Sequence, residues 1–390
     1  MSIRADPGLM LEIQKYGTQD IEACFNCGNC TAVCPLSASD GSFPRQEIRY
    51  AQLGARDLLL SSKELWLCYY CGECTQTCPR QANPGEFMAA ARRMAIANYD
   101  VTGIPRRLYK SGWFNLVFTL GLAAFFSLFL LAFRQEEQFT SLALWQFIPE
   151  MYVRYLGLAV FAIIGIAGLI GLYRMIRSIA RAGRLAYSGV PWTRLNWWQA
   201  FKDTVFVQAL GHENYRSQDC EQESKTPWML RKWFMHATIM YGFLGLLAAT
   251  TLDFLFKPVG SWVPIYYPMR LLGTLGGLSL MYGTSLAILK RLHAADRSMQ
   301  HSQVSDWTFL GLMWLVGLTG FLLEAAVYAR PTAMWGYAIL IVHVSLAMDL
   351  LVLLPFTKFA HVIYRTVAIF VHHLKPAGQT AESGMTPVTT

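Results

Sequence analysis

Eight of the nine cysteines fall within the first 78 residues, in two copies of one pattern. Cys24, Cys27, Cys30 and Cys34 are followed by Pro35; 44 residues on, Cys68, Cys71, Cys74 and Cys78 are followed by Pro79. A Cys-x2-Cys-x2-Cys-x3-Cys-Pro run holds iron–sulfur clusters through thiolates, and where two runs occur the fourth cysteine of each serves the other cluster. The two-residue spacings let three thiolates of one tight loop cap one face of a [4Fe–4S] cube. Cys24, Cys27, Cys30 and Cys78 are thereby assigned to one cluster, and Cys68, Cys71, Cys74 and Cys34 to the other. The duplication is an internal repeat in which each half completes its partner. Gly28 and Gly72 stand at matching places, where a side chain would crowd the inorganic sulfides. Zinc sites use two cysteine pairs set further apart, which is not this spacing. Cys220 stands alone and is read as a bystander.

Histidine supplies the second set of candidates. Of the eight, His212, His301, His372 and His373 lie in polar or terminal stretches and are read as solvated. His236, His343, His361 and His293 lie in or at the ends of strongly apolar runs, where an ionisable side chain is costly and marks a functional candidate. Clusters that exchange electrons with a membrane need a redox carrier inside it, and haem b held by two histidines on facing helices fits. His343 and His361 are 18 residues apart. On one continuous helix that is five full turns, so both rings would leave the same face about 27 Å apart. His236 and His361 are expected to share one haem. His343 has no histidine on a neighbouring outer half and remains open between a second haem, a five-coordinate or His/Met haem and a quinone pocket. His293 is an alternative ligand or a helix cap. Asp349, between His343 and His361, is a proton-path candidate or a structural acid.

The rest of the chain must position these groups. It has 390 residues, 54% hydrophobic and only 15% charged, with a mean hydropathy of +0.31. Soluble domains carry about 25% charged residues, so a disordered protein is excluded and the balance points away from a wholly soluble one. Net charge is +8, an excess that membrane proteins keep in cytoplasmic loops; it does not call for nucleic acid. No signal peptide is visible in Met1–Glu22. The texture changes near residue 110. Six apolar runs follow: Trp113–Phe133, Tyr155–Tyr173, Trp233–Leu252, Leu271–Leu289, Trp307–Leu323 and Thr332–Met348, the last continuing towards Tyr364. A span needs roughly 17–25 apolar residues. Arg92, Arg93, Arg106, Arg107 and Lys110 precede the first run, Arg174, Arg177, Arg181, Arg184 and Arg194 follow the second, and Lys290, Arg291 and Arg297 follow the fourth. The positive-inside rule then places both termini and the cysteine domain on the cytoplasmic side of the inner membrane. Trp192, Leu195, Trp198, Phe201, Val205 and Ala209 recur at three- and four-residue spacing, which predicts an amphipathic helix at the membrane surface or packed on the soluble half. Gly273, Gly276, Gly277 and Gly283 permit close helix packing.

The expected fold is mainly α: a bis-[4Fe–4S] ferredoxin-like domain over 1–110, a six-helix cytochrome b bundle over 111–372 with a cytoplasmic amphipathic loop at about 174–231, and a disordered tail over 373–390. The double cysteine motif resembles the C subunit of heterodisulfide reductase. The stretch from His343 through Leu354-Pro355-Phe356-Thr357-Lys358-Phe359-Ala360-His361 resembles the last helix of nitrate reductase gamma-type cytochromes b, a group that includes the E subunit of heterodisulfide reductase. The fusion of both is similar to the QmoC family, the membrane subunits of quinone-interacting membrane-bound oxidoreductase complexes of sulfur bacteria. That resemblance implies a membrane component of an oxidoreductase, with partners similar to QmoA and QmoB, electron exchange with menaquinone, anaerobic respiration and adenylylsulfate reductase as acceptor. One departure is visible. The cytochrome family has a second histidine ten residues after the position of His236; here it is Leu246, so an outer haem on His343 would lack that partner. Two alternatives stay open: a heterodisulfide-reductase-type electron-transfer unit, and a redox-active membrane anchor with no quinone site.

Overall fold

The computed structural model describes residues 5–37, 42–135, 142–182, 190–217, 226–261, 263–294, 302–329 and 334–377. Cys220, Arg184, Arg297, His301 and the tail beyond 377 lie outside them. The described residues are helical, with one isolated bridge between Leu195 and Pro376 and no strand. The elements that matter below are α1 (Pro84–Tyr99), α2 (Gly112–Ala132), α3 (Glu150–Arg181), α4 (Lys232–Phe256), α5 (Pro268–Leu292), α6 (Val304–Ala329), α7 (Gly336–Leu353) and α8 (His361–His373).

α2 to α7, with the short 3-10 turn that follows α7, give six segments long and apolar enough to cross a membrane. Start signals in the chain open two of them. Ser111 caps α2 by accepting from the Phe114 amide at 3.2 Å, and Pro268 opens α5, where its missing N–H costs nothing. Leu120, Leu128, Ile163, Ile166 and Leu169 turn outward and are exposed, as expected where lipid rather than protein covers the bundle. α4 and α5 make a close pair. A Cβ on Gly242 would sit 2.5 Å from the Leu280 amide nitrogen, and one on Gly276 would sit 3.1 Å from the Gly242 carbonyl oxygen. The small-residue face read from the sequence is thus a packing seam at Gly276 and Gly283.

The helices overrun the apolar runs. α3 has 32 residues, about 48 Å, against an apolar slab of about 30 Å. Its last turns leave the slab, and Met175 and Ile179 join the core of the amino-terminal part. Tyr364, Ala368 and Ile369 of α8 join the same core, alongside Trp66, Phe87 and Met94. Trp66, Tyr99 and Tyr364 form an aromatic trio, with Trp66–Tyr364 ring centroids 5.1 Å apart. Asp306 at the start of α6 adds a charged tie. It accepts from Arg93 of α1 at 3.1 Å and from Lys358 at 3.2 Å, while Arg93 also donates to the Tyr16 carbonyl.

Two expectations need correction. The sixth run is not one helix to His361. α7 ends at Leu353, 3-10 turns cover Leu354–Phe356 and Lys358–Ala360, and Thr357 is extended at φ −118°, ψ −170°. Pro355 has no N–H to continue the ladder, so α8 starts afresh at His361 and the five-turn argument linking it to His343 fails. The surface stretch is also broken, into a 3-10 turn at Trp192–Arg194, an α-helix at Trp197–Lys202 and a π-helix at Asp203–Leu210. Leu195 turns inward on Leu374, while Trp192, Trp198, Phe201 and Phe206 stay exposed.

Candidate functional site

The cysteine repeat is a conformational repeat. Gly28 and Gly72 have φ of +90° and +99° and precede the short helices Asn29–Ala32 and Glu73–Gln76, which carry the third cysteine of each run. Asn26 and Tyr70, just before the second cysteine of each run, also share the left-handed region, at φ +61° and +58°. No described atom lies within 4 Å of a Cβ built on Gly72. The backbone angle is therefore the demand this structure makes on that glycine.

The two loops are bound together. Asn29, beside Cys30, donates to the Thr77 carbonyl, beside Cys78, at 2.5 Å. Burial pushes the Cys30 thiol up to about 11, and the nearby Cys24, Cys27 and Cys78 add to it. Burial pushes Cys34 up to about 12, with Cys68 and Cys71 as the neighbouring thiols that add to it. One cleft is lined by Cys34, Cys68, Cys71 and Cys74 together. So Cys34 lies beside the first three cysteines of the other run and Cys78 lies near Cys30, and thiols gathered in this way suit a cationic iron core, to which they bind as thiolates. Cys27 is exposed and Phe25 beside it is 62% exposed, so the first loop faces outward. The second faces the bundle.

Against that second loop stand the histidines. The His236 and His361 rings meet edge-on, with centroids 6.3 Å apart and planes inclined at 62°. That separation has room for one metal atom between them at the roughly 2.0–2.1 Å distance of imidazole ligands. His361 Nδ1 is 2.6 Å from the Lys358 carbonyl, the orientation common in metal-bound histidines. Burial lowers its pKa to about 4, keeping the ring neutral near neutral pH. A third imidazole joins them. His212 is only 6% exposed, and its Nε2 is 2.9 Å from His236 Nδ1. This corrects the reading of His212 as solvated: the turn after the π-helix carries it inward. His372 is likewise half-buried on α8, and burial lowers its pKa to about 3.

Arg365 and Arg92 connect the histidines to the loop. Both donate to the Cys68 carbonyl, at 3.0 and 2.9 Å. Arg365 lies one turn after His361 on α8 and also covers the Tyr69 ring at 4.2 Å. Tyr69 stacks on Tyr215, which meets His236 edge-on at 5.6 Å. The sequence offered no signal for His212 or for the Tyr215 contact; Arg365 was legible only as a cation four residues beyond a candidate ligand.

The other candidates are not gathered here. His343 Nδ1 is 3.0 Å from the Thr319 hydroxyl, and a Cβ on Gly320 would sit 3.2 Å from its ring. Its ring thus packs against α6. His293 is exposed at the end of α5 with Nδ1 2.8 Å from the Leu289 carbonyl. Asp349 is fully buried, and neither carboxyl oxygen has a hydrogen-bond partner among the described residues.

Two family profiles match separate parts of the chain. The 4Fe-4S dicluster domain profile matches residues 20–82. The profile of the citrate utilization protein B family matches residues 107–382, and the chain belongs to that family. Citrate utilization protein B of Escherichia coli is 31% identical over 157 residues, covering 38% of this chain and 39% of that protein. The E subunit of the dihydromethanophenazine:CoB–CoM heterodisulfide reductase of Methanosarcina mazei is 26% identical over 159 residues, 36% of this chain and 60% of that protein. The C subunit of the H2:CoB–CoM heterodisulfide,ferredoxin reductase of Methanothermobacter thermautotrophicus is 38% identical over 56 residues, 14% of this chain and 30% of that protein. The chain thus spans less than two thirds of each of these relatives. No solved structure matches it. It is a multi-pass membrane redox protein whose amino-terminal domain binds [4Fe–4S] clusters. The sequence reading anticipated the two heterodisulfide reductase relatives and did not include the citrate utilization family.

Proposed function

We propose that the chain passes electrons between a quinone pool in the bilayer and cytoplasmic partner proteins, through haem b at His236 and His361 and two [4Fe–4S] clusters. The carrying observation is the neighbouring pair His236–His361, with Arg365 one turn away bonded to the Cys68 carbonyl. In this reading Cys24, Cys27, Cys30 and Cys78 hold the outer cluster and Cys68, Cys71, Cys74 and Cys34 the one beside the bundle. A haem held by the two imidazoles supplies one-electron carriage between quinone and cluster. The chain's own residues do the rest. Arg365 and Arg92 pin the Cys68 loop against α8, and the Asp306 tie keeps the cysteine domain seated on the bundle. His343 and Asp349 are the candidates for binding quinone and moving its proton, because a buried ionisable group in a span marks such a path.

Residues 1–110 then form the cluster domain and 111–372 the haem and quinone unit, with the termini cytoplasmic by the positive-inside rule. The fusion order favours a Qmo-type complex, with QmoA- and QmoB-like partners, electron exchange with the menaquinone pool and adenylylsulfate reductase as the distant acceptor. The family match over 107–382 favours a second reading, in which the same wire serves citrate utilization and the partner differs. Pyridine-haemochrome and iron assays on the purified chain test the shared core. About eight non-haem irons and one haem, lost in His236→Ala and in His361→Ala, are expected. A full haem complement in both variants sinks it. Co-purification of flavoprotein partners separates the two partner readings.

A further inference from the structure

We propose that His212 is a positioning residue that fixes the ring form of His236 and so presents the His236 Nε2 lone pair to the metal site. This rests on reading His236 and His361 as an axial pair. His212 Nδ1 is 3.1 Å from the Leu210 carbonyl oxygen, which can only accept. Nδ1 therefore carries the N–H. A neutral imidazole has one N–H, so His212 Nε2 holds a lone pair, 2.9 Å from His236 Nδ1. His236 Nδ1 must then donate, which leaves its Nε2 bare. His361 reaches the same form by a shorter route, through the Lys358 carbonyl. The two rings thus offer the same nitrogen, backed by an imidazole on one side and a carbonyl on the other.

The backbone agrees with a placed residue. His212 sits at φ +53°, just past the π-helix. Left-handed non-glycine residues and π-helical turns both concentrate at functional sites. The Leu210 carbonyl is itself held, since Tyr241 of α4 also donates to it. An acceptor behind a ligand's N–H raises the basicity of that ligand, which favours the oxidised metal.

The test uses the full-length protein in detergent, with His212→Ala, His212→Gln and His236→Ala beside the parent. Cluster iron is measured in each as the control for folding. In His212→Ala, haem retention is expected to weaken about 10–100-fold, the midpoint potential to move positive, and the low-spin g values to shift. His212→Gln keeps an acceptor oxygen and is expected to bring all three back towards the parent. Unchanged potential and g values in His212→Ala overturn the proposal. So does loss of haem as complete as in His236→Ala that Gln fails to restore, because His212 would then be a ligand itself. Haem kept in His236→Ala overturns the axial-pair reading instead, whatever His212 does.

Discussion

The two ends of the helix bundle carry comparable charge networks but very different chemistry. At the end that meets the cysteine domain, Asp306 balances Arg93 and Lys358, and three imidazoles converge beside it. At the other end, Glu150 balances Arg154 and Lys257 and accepts from the Gly260 amide at 2.7 Å. The candidate ligand on that side, His343, packs on Thr319 and Gly320. Both networks hold helices together. Among the described residues, Arg365 ties the first of these ends to a cluster-binding loop. A charge network alone therefore does not distinguish the two ends; the convergence of His212, His236 and His361 at one of them does.

The largest effect should separate the two histidine sites. His361→Ala is expected to remove the haem, and His343→Ala to leave its content unchanged by pyridine haemochrome; equal losses would erase the distinction between the ends. Next come the networks themselves. Asp306→Ala strands Arg93 and Glu150→Ala strands Lys257, both buried cations, at roughly 3–5 kcal/mol. Both should lower the melting temperature in detergent, but only Asp306→Ala should also disturb the haem spectrum, because Lys358 provides the carbonyl that His361 faces. Arg365→Ala removes a charge-assisted bond, about 1.5–3 kcal/mol. It should slow reduction of the clusters by quinol in stopped-flow absorbance while iron and haem contents hold.

The smallest effect is electrostatic and lies at the near end alone. Burial raises the Glu12 carboxyl, but Arg56 and Lys110 outweigh it and hold its pKa below the ordinary 4.5. Its contribution is thus complete above about pH 4.5 and is lost as pH falls through the lowered value. Glu12→Gln should flatten that acid limb, by under about 1 kcal/mol for so accessible a pair. An unchanged limb would show that the near-end carboxylates do not couple to the pH dependence of stability.

Much of this protein was written in local pattern. The cysteine spacing determined two metal-binding loops, because thiolate chemistry and loop geometry act within a dozen residues. The apolar runs determined six spans, because bilayer thickness sets helix length. Gly276 and Gly283 marked a packing seam that the structure places against α4. His236 and His361 were legible as isolated polar groups in apolar surroundings. What the sequence left open depends on residues far apart along the chain. Pro355 and Thr357 break the last span, which pattern alone read as continuous, because a single extended residue leaves hydrophobicity untouched. His212 looked solvated because its neighbours in sequence are polar; its neighbours in space are His236, Tyr215 and Tyr241. Arg365 gained its meaning only when folding set Cys68, 297 residues earlier, against α8. Burial and hydrogen-bond partners belong to the packed molecule, so the ligand spacing could be read in one dimension while the ring that orients a ligand could not.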